Sequence, residues 1–200
     1  MPRVARIQIP GVTQHIIQRG NNRTNIFQSP RDFRFFLKAL RLACVRYLLD
    51  IHAYALMSNH FHLVATPRTA SAASQVMCAM GSKYVRYFNR KYARTGTLYE
   101  GRYRSMNIDT EAYWFTCMRY VELNPLRAGL VSSVDAYAWS SYQANGLGLS
   151  DDLIVQHPLY MSLGECTASR QQCWRRLCGE TLTEAELIDL RSDIRRGAES

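Results

Sequence analysis

The chain has 200 residues, 47% of them apolar and 20% charged, with a formal net charge of +9. That is one domain's length with enough apolar material for a packed core, which excludes disorder as the main state. No apolar run approaches the roughly 20 residues of a membrane helix, and MPRVARIQIPGVTQH has no continuous apolar stretch behind its arginines, so the expected location is the cytoplasm.

The charge is divided unevenly. Up to Arg104 there are 17 basic residues and three acidic ones, a net of +14; from Ser105 onward eight basic residues face 13 acidic ones, a net of −5. A front half this basic suits a polyanion, because lysine and arginine near phosphates release condensed counterions. Nucleic acid is therefore the expected partner class.

In chain order, GVTQHIIQ over 11–18 is β-branched and is followed by a turn, QRGNNR, so a strand is expected to end there. Ser29-Pro30-Arg31-Asp32 then opens a helix, with Ser as N-cap, Pro at the first helical position and Asp at the third. Phe33, Phe36, Leu37, Leu40, Cys44, Tyr47 and Leu48 follow at helical spacing. IHAYALM over 51–57 reads as a second strand, and HFHLVAT, stopped by Pro67, as a third. A long helix is expected over 72–92, then an extended segment LYEGRYRSMNI, then a helix from Thr110 to Asn124 that stops before Pro125. This order predicts an α+β fold with an antiparallel sheet and flanking helices. Residues 1–146 read as the main domain and 147–200 as an acidic, mainly helical C-terminal appendage. Trp114 and Trp139 are expected in the core.

The six cysteines form no C-x-x-C pair and read as reduced structural thiols. A site from Cys166, Cys173, Cys178 and His157 matches no familiar zinc spacing. His60-Phe61-His62 is the stronger signal. On a strand both imidazoles leave one face while Phe61 enters the core, so they can converge on one divalent cation. A bare H-x-H is weak by itself, since exposed strand histidines share the pattern. On the later helix Tyr120 and Asn124 lie one turn apart on one face. There a hydroxyl can attack something held by a metal, and an amide oxygen can serve as a third, harder ligand. Taken singly, Tyr120 is one of 12 tyrosines and Asn124 an ordinary residue before proline.

MSNHFHLVATP, GTLYEGRYRS, RYVELNPLRAGLV and YAWSSYQAN, in that order across the first 150 residues, resemble the REP-associated tyrosine transposases, members of the single-tyrosine HUH class. The resemblance implies an RRM/ferredoxin-like antiparallel sheet with flanking helices, and a bacterial, nucleoid-associated enzyme that cuts and rejoins single-stranded DNA at hairpin-bearing repeats. It implies that His60 and His62 bind Mg²⁺ or Mn²⁺, with Asn124 as the additional ligand, and that Tyr120 is the nucleophile, forming a 5′-phosphotyrosine. No organic cofactor and no membrane partner are expected, and a monomer is favoured over a homodimer. The acidic tail ending IRRGAES departs from the Gly- and aromatic-containing ends of the family.

Arg19, Asn21, Asn22 and Arg23 form a polar, basic loop suited to a short single-stranded segment. Lys83, Arg86, Arg90, Lys91 and Arg94, interleaved with aromatics, suit a hairpin stem, with Arg102 and Arg104 extending the patch. No general base for the tyrosine is evident, because Glu122 lies off the Tyr120 face. Two other readings are a catalytically silent RRM-like module that binds single-stranded nucleic acid and a metal-dependent phosphodiesterase that uses water.

Overall fold

The structure, a computed structural model, describes residues 9–196. Strand β1 (Gln14–Arg19) leads to helix α1 (Pro30–Tyr47), then strands β2 (Leu49–Met57) and β3 (His60–Pro67), helix α2 (Ala72–Lys91) and strand β4 (Arg104–Asn107). The sheet is antiparallel in the order β2-β3-β1-β4. This βαββαβ succession with β1 and β3 central is the ferredoxin-like arrangement. Helices α3 (Glu111–Glu122), α4 (Asn124–Arg127), α5 (Tyr142–Asn145), α6 (Pro158–Met161), α7 (Thr167–Gly179) and α8 (Glu184–Arg196) follow. No helix of the described residues is long and apolar enough to cross a membrane.

Helix α1 starts as its sequence dictates. Asp32 Oδ2 accepts from the backbone N–H groups of Gln28 and Ser29, both at 2.9 Å, which completes a capping box around Pro30. Phe36, Leu40 and Cys44 are buried as the spacing predicts, but Leu48 is not. It caps the helix in a left-handed conformation (φ 63°), and its side chain turns outward, because the chain must reverse there to enter β2.

The two faces of the sheet receive alternate residues of each strand. Behind it, α1 and α2 bury Ile16, Phe36, Phe61, Leu63, Tyr84 and Phe88 in one apolar layer. In front, α3 packs Trp114, Cys117 and Val121 against Ala53, Ala55 and Val64, and the tail adds Tyr160, Trp174 and Leu190 to the same cluster. Trp139 is half-buried and stacks on Phe33, with centroids 4.6 Å apart. The extended segment before α3 contributes only β4 and one isolated bridge, Tyr99 to Gly20. Gly20 is needed there, since a Cβ would lie 2.2 Å from the Thr24 carbonyl oxygen.

The end of the tyrosine helix differs from the sequence expectation. Pro125 does not stop a helix at Asn124; α3 ends at Glu122, and Pro125 lies in the first turn of α4. Proline lacks only the N–H that a first turn leaves unpaired anyway, so the chain turns and continues.

Candidate active site

The site is built where β3, β1 and the α3–α4 junction meet. His60 and His62 leave the front face of β3 with ring centroids 5.0 Å apart and planes at 77°. His60 Nδ1 donates to Asn59 Oδ1 at 2.6 Å, and Asn59 is itself oriented by donating to the Arg23 carbonyl. This leaves the Nε2 lone pair of His60 free. His62 is 4% exposed; its Nδ1 meets His15 Nε2 at 2.9 Å, and its Nε2 lies 3.5 Å from the Asn124 carboxamide nitrogen. A half-turn of that carboxamide presents its oxygen to the same place.

The Tyr120 ring stands edge-on to His62, with centroids 5.8 Å apart, and to His15 at 6.1 Å. The α3–α4 turn keeps Tyr120 and Asn124 together although the helix is broken between them. Leu123 N still bonds the Arg119 carbonyl, and Ala128 N bonds that of Asn124. The structure therefore brings His60, His62, Tyr120 and Asn124 into one site.

Two neighbours of the site were not singled out by the sequence reading. His15, 1% exposed, comes from β1, where the alternation of HIIQR puts it on the same face as His62. Arg127 places its guanidinium 4.9 Å from the Tyr120 ring centroid. It lies seven residues after Tyr120, two helical turns, and that spacing was the available signal.

Burial keeps these imidazoles neutral. It lowers His15 to about 3 and, with Arg19 nearby, His60 to about 4. Burial, followed by His15, His60 and Arg19, pushes His62 well below its usual value. Neutral imidazoles are what metal ligation requires. Among the described residues no three His, Cys, Asp or Glu side chains are placed to hold one metal ion together; the donors here are two imidazoles and one carboxamide. Such a mixed nitrogen–oxygen set, with His60 Nε2 free and His62 Nε2 facing Asn124, fits a divalent cation such as Mn²⁺ or Mg²⁺.

Glu122 is turned away from this site. Its carboxyl accepts from Ser141 Oγ at 2.5 Å, Asn145 Nδ2 at 2.7 Å and Trp174 Nε1 at 2.7 Å. It is fully buried, and burial raises it to about 7 against the pull of those three donors. Its position two residues from Tyr120 ties the tyrosine helix to α5 and α7.

The basic residues fall into separate groups. Arg19 pairs across the sheet with His60, and the turn Asn21–Arg23 is bonded beside it, through Gly20 N to the Asn59 carbonyl. Arg19, Arg102 and Arg104 line a small cleft with Ile17, Glu100 and Ile194. Arg102 also reaches a groove of about 770 Å³ behind the sheet, lined by Arg86, Met77, Tyr99 and Tyr103. Lys83, Arg86 and Arg90 are exposed on α2, and Arg94 lies over the Phe88 ring at 5.7 Å. Lys91 is engaged elsewhere: its ammonium bonds the Asp32 carboxylate at 2.6 Å and Ser29 Oγ at 2.6 Å. Cys166 is exposed, Cys173 half-buried and Cys178 buried, while His157 stacks on Trp114 and accepts from Leu159 N.

Comparison with solved structures finds a REP-associated tyrosine transposase bound to a REP hairpin, at 16% identity and a TM-score of 0.60, covering 78% of this chain and 93% of that one. That likeness shows the fold. A candidate transposase from Deinococcus radiodurans R1 (15% identity, TM-score 0.41, 55% and 88% of the two chains) and tRNA(His) guanylyltransferase from Saccharomyces cerevisiae (12%, 0.42, 96% and 82%) are too distant to argue from. No curated protein sequence matches. The family model described as "Transposase IS200 like" matches residues 8–124, more than half of the chain and all of the site from His15 to Asn124. The protein belongs to the IS200-like transposase family and is a transposase acting on DNA.

Proposed function

We propose that this chain is a REP-associated tyrosine transposase that cleaves and rejoins single-stranded DNA at hairpin-forming repeats, with a divalent cation, Mn²⁺ or Mg²⁺, and a 5′-phosphotyrosine intermediate. The observation that carries the reading is the convergence of Tyr120 with His60, His62 and Asn124, drawn from β3 and the α3–α4 turn.

His60, His62 and Asn124 would hold the cation, which when bound would supply positive charge to the scissile phosphate. Tyr120 Oη gives up its proton as it attacks phosphorus, the bond to the 3′ oxygen breaks, and that oxygen takes up a proton and leaves as a 3′-OH. The 5′ side remains bonded to Tyr120, so the energy of the phosphodiester is kept and a second 3′-OH reverses the step. Glu122 does not serve Tyr120 as base, since its carboxyl is committed to Ser141, Asn145 and Trp174. Arg127 over the ring stabilises the negative charge that develops on the phenol oxygen during attack, and again when that oxygen is the leaving group. Arg19, the Asn21–Arg23 turn, Arg102 and Arg104 guide the single strand into the front face. Lys83, Arg86, Arg90 and Arg94 meet phosphates of the stem, and Lys91, held by Asp32, contributes least.

The test is a denaturing gel of the protein with labelled single-stranded hairpin DNA from around its own gene, with and without Mn²⁺ or Mg²⁺. A metal-dependent, protease-sensitive DNA–protein band is expected from the wild type. Cleavage without an adduct would make water the nucleophile, and hairpin binding with neither would make the chain a silent binding module.

A further inference from the structure

The mechanism above leaves His15 without a task. It is fully buried on the central strand, its Nε2 is 2.9 Å from His62 Nδ1, and the two rings stack with centroids 5.2 Å apart and planes at 26°. One shared hydrogen lies between those nitrogens, and which ring owns it decides what His62 can do. With the hydrogen on His62 Nδ1, His62 Nε2 keeps its lone pair and faces outward toward Asn124. With the hydrogen on His15 Nε2, a neutral His62 carries its own hydrogen on Nε2, and that nitrogen cannot ligate.

We propose that His15 is a positioning residue for the cation site: its Nε2 accepts the hydrogen of His62 Nδ1, which fixes the ring angle of His62 and the tautomer that presents Nε2 as a ligand. The inference rests on the metal reading given above. A ligating imidazole ordinarily donates its second N–H to a carboxylate, a backbone carbonyl or water. Here the partner is a second imidazole on the neighbouring strand. The β1–β3 register sets Val64 opposite His15 and Ile17 opposite His62, so the two rings meet on a diagonal of the front face. His60 has the matching arrangement, with Asn59 Oδ1 accepting from its Nδ1. Each ligand of the H-x-H pair therefore has its own acceptor, one in the β2–β3 turn and one on β1.

The geometry has a cost that a purely structural residue would not retain. When His15 Nε2 accepts, its Nδ1 carries a hydrogen, and this buried atom has no hydrogen-bond partner among the described residues. An apolar residue of similar shape would fill the space without that orphan.

The experiment titrates Mn²⁺ into the DNA-free protein, following free Mn²⁺ by electron paramagnetic resonance, for wild type, His62→Ala, His15→Phe and His15→Gln, with thermal unfolding as the check on folding. Phe keeps a stacked ring and loses the acceptor; Gln loses the ring and keeps an acceptor near the position of Nε2. The expected result is Mn²⁺ affinity about 10- to 100-fold weaker in His15→Phe, with His15→Gln closer to wild type. A space-filling role predicts the reverse order. Binding lost in His62→Ala but unchanged in His15→Phe overturns the assignment of His15 alone. A wild type that binds no Mn²⁺, or binds it equally well as His62→Ala, removes the metal reading and this inference together.

Discussion

Behind the sheet, α1 and α2 bury Ile16, Phe36, Phe61, Leu63, Tyr84 and Phe88, whereas the front face meets α3 and the tail with His15, His52, His62 and Thr66 among Ala53, Ala55 and Val64, and α3 brings the buried Glu122 to the same layer. The two layers share the same strands, so Phe61 and its neighbours His60 and His62 serve opposite sides of one backbone. The rear layer is held by apolar burial, which is non-directional and tolerant. The front layer adds to its own apolar cluster named pairs of donors and acceptors, which place atoms but leave some without a partner among the described residues, His15 Nδ1 among them. The proposed chemistry lies on the face where hydrogen bonds add to apolar packing in setting position.

The comparison is broken most sharply at Tyr120. Tyr120→Phe should abolish covalent capture of hairpin DNA while leaving its affinity for the hairpin, measured by gel shift, close to wild type. Phe61→Ala should remove about 3–5 kcal/mol of stability in urea unfolding, whereas His60→Ala, one residue away, should change it by less than about 1 kcal/mol. Equal losses from the two would dissolve the division between the faces. Glu122→Ala strands three buried donors on α5, α7 and the segment before them, and a loss of about 3 kcal/mol is expected in the same assay.

The pH dependence sharpens the contrast. His15, His52, His60 and His62 are all held below the ordinary histidine value, first by burial, with His52 and His60 at about 4. Between about 6.5 and 4 the unfolded chain therefore binds more protons than the folded one. The stability these groups permit is complete above about 6.5 and is lost as pH falls toward 4. Glu122, raised to about 7, acts in the opposite sense: its contribution is present below about 4.5 and is lost as pH rises through 7. Four imidazoles outweigh one carboxyl, so urea midpoints should fall on acidification, and Glu122→Gln should make the fall steeper. A shallower fall in that variant would contradict the assignment. The smallest effect belongs to the rim: Arg102→Gln and Arg104→Gln should each lower the slope of log affinity against log salt by about 1.

Much of the fold was legible because its signals are local. Ser29-Pro30-Asp32 announced α1, and period-two alternation put His60 and His62 on one face with Phe61 on the other. Tyr120 and Asn124 were legible from helical spacing, and survive a break in the helix because α4 resumes at once. His15 was not, since its pairing with His62 depends on the register of two strands 47 residues apart. Arg127 was missed because Pro125 read as a terminus. Glu122 was correctly separated from the Tyr120 face, but its partners Ser141, Asn145 and Trp174 lie up to 52 residues away and leave no local trace. The engagement of Lys91 by Asp32 was hidden for the same reason, across 59 residues.

The central claim is that Tyr120, held edge-on to His62, takes the DNA strand. The most direct test is tryptic mapping of the covalent product by mass spectrometry after incubation with hairpin DNA and Mn²⁺. Trypsin releases Tyr120–Arg127 as one peptide, YVELNPLR. The account predicts a nucleotide phosphate on that peptide, on Tyr120, only when the divalent cation is present. A modification on any other tyrosine, or cleaved DNA with no modified peptide, would contradict it.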